Sequence, residues 1–300
     1  METPQQNSKP EKKFGIVAML DALGVSSLRM HEAEEFIRRR NALINDPIIT
    51  EAARRNTSVQ GRSVLAKPTV FSFGDTIIYA WEIEDSSDSF AAFNASLYVS
   101  DWLRPLIYRS LFTTDGPLLF RGAISIGQYL IDGSSLLGPA IADAAAWYNA
   151  ANWIGVITTP TLSFMIDTLY AAGDKAAEGY KSDIAPRYVR YDTPLNQLHA
   201  KKHGSDKLDT WCLAWPFEFY DGAESPMSAH VEFGICFQAT RDNSDSVRVP
   251  MGTELKYENT IKFFRYFEKW RTENPGWVAL TTYQTIKDAN NKQPSQGSSK

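Results

Sequence analysis

The sequence predicts an α+β fold in which helices cover one face of a mixed, mainly antiparallel sheet. Segments with strand and helix patterns alternate in the order β-α-β-β-α-β-α-β-α between residues 14 and 170. Gly74-Asp75 separates two β-rich runs, which is typical of a hairpin. Gly138-Pro139 precedes a run of small residues with a helical pattern. We therefore expect one sheet with several helices packed on it.

Local patterns place each element of this core. An apolar run of strand length extends over 14–21, and a small-residue turn follows it. The pattern predicts helices at 32–44 and 90–112, on either side of the hairpin at 69–81. The remaining core elements are a strand at 118–126, a turn at 127–133, a helix at 140–152, a strand at 155–160 and a helix at 161–170. Beyond residue 173 the expected elements are strands at 188–191, 210–219 and 231–237 and a helix at 256–271.

The chain is expected to form a core with a C-terminal α/β extension that belongs to the same domain. The extension contributes edge strands and a packing helix. Both termini are polar, which is typical of disordered segments. The predicted divisions are a lead-in at 1–12, a core at 13–172, an extension at 173–287 and a tail at 288–300.

Composition excludes several classes of partner. The formal net charge is −4 and no block of Lys or Arg occurs, which argues against binding to nucleic acid. No stretch reaches the ~20 apolar residues of a membrane helix, so no membrane contact is expected. Cys212 and Cys236 lie in apolar runs, which favours buried thiols over a disulfide framework. We expect a cytoplasmic protein.

Two aspartates are the first candidate site residues. Asp21 stands at the end of the first strand, and Asp75 stands in the hairpin turn. Carboxylates at neighbouring strand ends can hold a pair of hard divalent cations, which can clamp an in-line phosphoryl displacement. The alternative is a helix-capping aspartate and a turn aspartate with no shared role.

Five motifs in this order resemble the catalytic domain of class III nucleotidyl cyclases. They are Asp21 at a strand end, Gly74-Asp75 in a hairpin, Arg121-Gly-Ala-Ile-Ser-Ile-Gly127, Gly138-Pro-Ala-Ile and Gly155-Val-Ile-Thr-Thr-Pro160. The resemblance covers about residues 14–170. It implies a ferredoxin-like core and a head-to-tail homodimer with sites at the interface. It also implies two Mg²⁺ or Mn²⁺ ions on Asp21, Ala22 and Asp75, and attack of a ribose 3′-OH on the α-phosphate with release of pyrophosphate.

The resemblance also assigns residues to the substrate. The backbone N–H groups that follow the first strand would bind phosphate oxygens. These are the groups of Ala22, Leu23, Gly24, Val25 and Ser26. Purine cyclases read the base with Lys or Glu at the position of Phe71, and with Asp or Cys at the position of Ser135. Neither purine-reading residue is present here.

Two further family positions are substituted. The family's helix Asn and Arg fall on Ala142 and Ala146, so we take Arg121 as the nearest substitute cation. The alternative is a surface or packing arginine at the start of a strand. In its small length and its two substituted base-binding positions, the chain resembles the pyrimidine cyclases of bacterial Pycsar anti-phage defence. Those enzymes make cyclic UMP or cyclic CMP. The expected substrate is UTP, with CTP second. The alternatives are an inactive cyclase-like module that binds nucleotide and dimerises, and a purine cyclase.

His199 and His203 form a further candidate pattern. Their i,i+4 spacing would suit a metal site, but no Glu stands beside them as in a zinc-protease motif. Neighbouring lysines favour a solvated basic helix face instead.

Overall fold

A computed structural model describes residues 10–25, 28–51, 67–84, 89–111, 118–171, 187–220 and 254–274. The strands are β1 (Glu11–Ala22), β2 (Thr69–Phe73), β3 (Thr76–Glu82), β4 (Phe120–Asp132), β5 (Ser135–Leu137), β6 (Gly155–Thr158), β7 (Tyr188–Pro194) and β8 (Lys207–Leu213). The helices are α1 (Met30–Ile44), α2 (Ser89–Ser110), α3 (Pro139–Trp147), α4 (Pro160–Ala171), α5 (Gln197–His203), α6 (Phe217–Tyr220) and α7 (Glu254–Glu273). Among the described residues, no helix is long and apolar enough to cross a membrane.

The strands form a single mixed sheet in the order β2-β3-β1-β4-β6-β8-β7, and β5 pairs with the far end of β4. The first four strands are antiparallel neighbours, with α1 connecting β1 to β2 and α2 connecting β3 to β4. This is the ferredoxin-like β-α-β-β-α-β arrangement. Among the described strands, β6 and β4 are the one parallel pair. The predicted fold class, an α+β fold with a mixed, mainly antiparallel sheet, is therefore confirmed.

The sheet has a core on each face, which corrects the expectation that helices lie on one face only. Alternate residues of β1 enter different clusters: Ile16, Ala18 and Leu20 join the large core, whereas Val17 and Met19 join a small second core. Helices α1, α2, α4 and α7 contribute to the large core. Helix α3 covers the small one through Ala140, Ile141 and Ala144. A second apolar face of β1 has to be shielded from water, and the small side chains of α3 allow a close approach.

Two boundaries in the core differ from the predicted ones. Strand β4 continues to Asp132 instead of turning at Gly127, because residues 127–131 pair with residues 11–15 of β1. This pairing also begins β1 at Glu11, within the predicted lead-in. Helix α3 ends at Trp147, five residues before the predicted end.

The C-terminal extension continues the same sheet. Strands β8 and β7 pair beyond β6, and α7 packs on this part of the sheet, in agreement with the expected edge strands and packing helix. The predicted strand at 210–219 is wrong beyond Leu213, because Pro216 cannot donate a ladder hydrogen bond and residues 217–220 form α6. The predicted strand at 231–237 and Cys236 lie outside the described residues. Cys212 is buried and free, which agrees with the expected buried thiol.

A buried ionic network fastens the extension to the core. Asp101 of α2 accepts hydrogen bonds from Arg187 at 3.0 and 2.7 Å and from Arg104 at 2.9 Å. Glu218 of α6 lies 3.5 Å from Arg104. All four side chains are at most 4% exposed. Removal of one member of such a network is costly, because the opposite charges stay buried.

Candidate functional site

The antiparallel register brings Asp21 and Arg121 side by side. Asp21 of β1 lies opposite Thr76 of β3 on one side and opposite Arg121 of β4 on the other. Nε and Nη2 of Arg121 both lie 3.0 Å from Oδ2 of Asp21. Both side chains are largely buried at the end of the sheet. The structure therefore confirms that Asp21 stands at a strand end, and it gives this carboxylate a cationic partner.

Asp75 lies in the hairpin turn next to this pair. Phe73 and Thr76 are paired, so Gly74 and Asp75 form a two-residue turn, and Gly74 has a φ of 58° that favours glycine. The carbonyl of Asp75 accepts a hydrogen bond from the N–H of Ala22 at 3.0 Å. This bond holds the hairpin turn against the residue that follows Asp21.

Arg40 supports the turn from the side of α1. Its Nη1 donates a hydrogen bond of 2.6 Å to the carbonyl of Gly74. Arg40 is buried, although the sequence analysis assigned no role to it. A buried guanidinium that binds a turn carbonyl restricts the position of Asp75.

Neighbouring charges and burial set the protonation of the site. Burial raises the pKa of the Asp21 carboxyl above its ordinary value, and the negative charge of Asp75 acts in the same direction. The positive charges of Arg121 and Lys256 lower that pKa. The charge of Asp75 therefore acts on Asp21, and the sharing of one metal by the two aspartates stays a prediction.

Lys256 is a site residue that the sequence analysis missed. It lies half-buried in the first turn of α7. Burial lowers the pKa of its ammonium group, the nearby charge of Arg121 lowers it further, and Asp21 raises it. The residue joins the site because α7 packs on the segment that leads into β6, and no local motif marks that contact.

The two aspartates fit divalent metal ions in the type of their ligand atoms. Mg²⁺ and Mn²⁺ prefer carboxylate, carbonyl and water oxygens. Within the described parts of the chain, no group of three or more His, Cys, Asp or Glu is placed to hold an ion. Magnesium is commonly bound by one or two carboxylates together with substrate phosphates, so two aspartates suit an ion that arrives with a nucleotide. Because Arg121 already binds Oδ2 of Asp21, it competes with an ion for that oxygen.

The segment after β1 offers fewer free N–H groups than expected. The N–H of Ala22 donates to Asp75, and the N–H of Leu23 donates to the carbonyl of Leu119 at 2.8 Å. The next helix begins at Met30, so the helix dipole does not start at Leu23. Ser26 lies outside the described residues. Phosphate binding by this segment, from Ala22 through Gly24 and Val25 to Ser26, stays a prediction, with no donor from the first two N–H groups in this state.

Phe71 shares a face of the sheet with the aspartate. It lies opposite Ile78, which lies opposite Met19, and Met19 and Asp21 are two residues apart on β1. Strand spacing and rise place the backbone of Phe71 about 12 Å from that of Asp21. The aromatic ring is half-buried and can form one wall of a site at this end.

Ser135 and α3 stand apart from the aspartates within one protomer. Ser135 pairs with Asp132 at the far end of β4, and the eleven residue steps from Arg121 to Asp132 span about 35 Å in an extended strand. Ala142 and Ala146 are exposed on the outer face of α3. One protomer therefore does not bring Ser135 and the two aspartates together.

His199 is a structural residue. It is buried, with Nδ1 3.0 Å from Oδ1 of Asn196 and Nε2 2.9 Å from the carbonyl of Ala146. His203 stacks near Trp147, with ring centroids 4.9 Å apart. Since both ring nitrogens of His199 have protein partners, the pair of histidines is not a metal site.

No protein-family model and no curated protein matches this chain. Several solved structures are similar to it. The catalytic core of a rhodopsin-guanylyl cyclase with converted specificity, in complex with ATPαS, is 11% identical with a TM-score of 0.42, and the match covers 69% of this chain and 98% of that one. The adenylyl cyclase CyaB from P. aeruginosa is 15% identical with a TM-score of 0.37 over 69% and 96% of the two chains. The dimeric guanylyl cyclase domain of the RhoGC fusion protein from the aquatic fungus Blastocladiella emersonii is 11% identical with a TM-score of 0.39 over 68% and 97%.

Proposed function

We propose that the protein is a metal-dependent nucleotidyl cyclase that converts a pyrimidine nucleoside triphosphate, UTP in preference to CTP, to its 3′,5′-cyclic monophosphate. The observation that supports the proposal most is the register that joins Asp21, Asp75 and Arg121 at one end of the sheet. Two carboxylates and a guanidinium in a partly buried position are suited to a substrate that carries both phosphates and their cations. Following the resemblance, the product would be a second messenger in anti-phage defence in the cytoplasm.

The proposed reaction needs positioning and charge more than covalent chemistry. A bond forms between O3′ and the α-phosphorus, the bond from that phosphorus to the pyrophosphate oxygen breaks, and the hydroxyl proton passes to solvent. Ions held by Asp21, Asp75 and the carbonyl of Ala22 would supply Lewis acidity at O3′ and at the phosphates. Arg121 can stabilise negative charge that develops on the phosphates, provided it moves from Oδ2 of Asp21.

The choice of base is assigned to Phe71 and Ser135. An aromatic ring at Phe71 cannot donate a hydrogen bond to a purine edge, but it can stack on a base or limit the depth of the pocket. The hydroxyl of Ser135 can reach a pyrimidine directly or through one water. A shallow pocket with one short polar group suits a single ring.

A homodimer with shared sites is part of this proposal. The distance between Ser135 and the aspartates within one protomer supports a site that takes the aspartates from one chain and the β5–α3 end from the other. Phe73, next to the turn, is 87% exposed, and Leu137 of β5 is 67% exposed. Exposed large apolar side chains at both ends are suited to burial in an isologous interface.

A nucleotide-binding module without turnover is the second candidate. The exposed face of α3 carries Ala142 and Ala146, neither of which can hydrogen-bond a ribose or a phosphate. Arg121 also neutralises Asp21 in this structure, which disfavours an ion at that carboxylate. A purine cyclase that reads its base with other residues is the third candidate.

The three candidates are separated by one assay. Purified protein is incubated with each of the four nucleoside triphosphates and Mn²⁺, and the cyclic products are separated by chromatography. We expect cyclic UMP in the largest amount, cyclic CMP in a smaller amount and little product from ATP or GTP. Bound nucleotide without any product would support the binding module, and faster turnover of ATP or GTP would support a purine cyclase.

A further inference from the structure

We propose that Lys256, from the C-terminal extension, binds the phosphate chain of the substrate together with Arg121. This inference rests on the proposed function, because it assigns the polyphosphate of a nucleotide to the same site. It gives the extension a direct part in substrate binding in addition to packing.

The contacts of α7 hold Lys256 beside the site. Nδ2 of Asn259 donates to the carbonyl of Asn152 at 2.9 Å, and the N–H of Ile154 donates to Oγ1 of Thr260 at 2.8 Å. Both partners lie in the segment just before Gly155, which is the register partner of Arg121. Lys256 lies three and four residues before these anchors and hence on the same face of the helix. The side chain of Lys256 therefore extends from a fixed helix toward the end of β4.

The same segment also positions Arg121. Nη1 of Arg121 lies 3.4 Å from the carbonyl of Asn149, and that carbonyl accepts a hydrogen bond of 2.6 Å from Nδ2 of Asn196. Phe263 packs against Trp153, with ring centroids 4.0 Å apart. One connected segment, 149–154, thus sets the positions of both cationic side chains.

The charges of the site are balanced in a way that favours a bound polyanion. Arg121 pairs with Asp21, whereas the ammonium of Lys256 makes no hydrogen bond or ion pair with the rest of the described chain. It is half-buried beside a second cation, so its charge is repelled by Arg121 and only partly offset by Asp21. A polyphosphate between Lys256 and Arg121 would relieve this repulsion and give the ammonium of Lys256 an anionic partner.

Binding of tripolyphosphate and of UTP in the presence of EDTA tests the assignment without metal and without turnover. Isothermal titration calorimetry is carried out on the full chain and on Lys256→Gln, Lys256→Arg and Lys269→Gln. Lys269 lies on the same helix, is 75% exposed and, within the described part of the chain, pairs with Glu273 alone, so it is a matched control. Loss of one charged hydrogen bond predicts about tenfold or more weaker binding for Lys256→Gln. We expect Lys256→Arg to retain most of the affinity and Lys269→Gln to match the unmodified chain.

Equal affinity of Lys256→Gln and the unmodified chain would overturn the assignment, as would failure of the unmodified chain to bind tripolyphosphate. Thermal unfolding midpoints of the variants show whether α7 stays docked. The failure of this inference is distinguishable from that of the proposed reaction. Tenfold weaker binding in a protein that forms no cyclic nucleotide would support the phosphate site and contradict the reaction. Normal turnover with an unchanged KM in Lys256→Gln would contradict the role of Lys256 alone.

Discussion

At the scale of single residues, the Asp21–Arg121 ion pair sets the charge balance of the candidate site. The pair forms because the register of the antiparallel strands β1 and β4 places the two residues directly opposite each other. Asp75 adds a second negative charge and Lys256 a second positive charge. Two carboxylates and two cations leave the site formally neutral, so a metal ion and a phosphate chain can enter together without a large charge imbalance.

Asp21 and Asp75 could be predicted from the sequence because each stands beside a local signal. An apolar strand ends at the first, and a hairpin turn contains the second. Lys256 and Arg40 could not be predicted in this way, since each reaches the site through the packing of a helix. Arg121 was predicted to replace the cation that the family carries on a helix. Its ion pair with Asp21 could not be predicted, because it depends on the register between β1 and β4.

Substitution of Phe71 tests the assignment of the base. Lysine at this position would replace the stacking surface with a donor on the same face of the sheet, so Phe71→Lys should lower the turnover of UTP about tenfold or more. Mn²⁺ binding should be retained, because Phe71 is not a metal ligand and its backbone is about 12 Å from that of Asp21. Steady-state rates for the four triphosphates and a metal titration measure the two effects. Unchanged UTP turnover would show that Phe71 does not contact the base.

At the scale of elements, a few long-range contacts fasten the extension to the core. Asp101 on α2 joins the start of β7 through Arg187, and α7 is anchored on the 149–154 segment. The sequence predicted α2, β7 and α7 from apolar periodicity, but the charged contact between α2 and β7 carries no periodic signal. The second core under α3 was missed for a related reason, since alternation along β1 is hidden in a continuous apolar run.

Removal of the buried carboxylate should destabilise the whole chain. Asp101→Ala takes the carboxylate from Arg104 and Arg187 in a buried site, which predicts a loss of about 3–5 kcal/mol in the free energy of unfolding. Asp209→Ala is a control, because Asp209 pairs with Arg190 but is 59% exposed, and its loss should cost about 0–1 kcal/mol. Urea unfolding measures both free energies, provided that the dependence of the free energy on urea concentration is the same in all variants. Similar urea midpoints of unfolding for the two variants would contradict the stabilising role of Asp101.

At the scale of the whole molecule, the sheet separates the two halves of the proposed site. The ferredoxin-like arrangement of β2, β3, β1 and β4 could be predicted from local patterns. Each of these strands has a strand pattern of its own, and each is connected to the next by a tight turn or a helix. The long strand β4 was not predicted, since pairing with β1 overrides the turn signal of Gly127. Because β4 is long, Asp21 and Ser135 lie far apart within one chain. The proposed site can therefore contain both residues only if a second chain contributes one of them.

The chain should therefore be a dimer when it is active. Sedimentation at the assay concentration should give about twice the mass of one chain, because an isologous interface forms two equivalent sites. An active species that sediments strictly as a monomer would contradict a shared site.

Stability should fall at alkaline pH. Burial raises the pKa of Tyr129, Tyr191, Tyr257 and the Cys212 thiol to about 12. In the unfolded chain these groups lose their protons at lower pH, near the ordinary values of about 8.5–10. Their contribution is therefore fully present below these ordinary values and is lost as the pH rises toward 12. Thermal midpoints between pH 8 and pH 11 should decrease progressively above about pH 9. A constant midpoint up to pH 11 would contradict burial of these groups.

The measurement that tests the central claim most directly compares product formation by Asp75→Asn and Asp209→Asn under the same conditions. The amide in Asp75→Asn keeps the size of the side chain but removes a charge from the candidate site, whereas Asp209 lies on β8, is 59% exposed and pairs with Arg190 outside the proposed site. With UTP and Mn²⁺, the unmodified chain and Asp209→Asn should release cyclic UMP and pyrophosphate in equal amounts. Asp75→Asn should be slower by about a hundredfold or more, because a metal-held transition state loses a ligand. Equal rates for the two variants, or no cyclic product from the unmodified chain, would contradict the account.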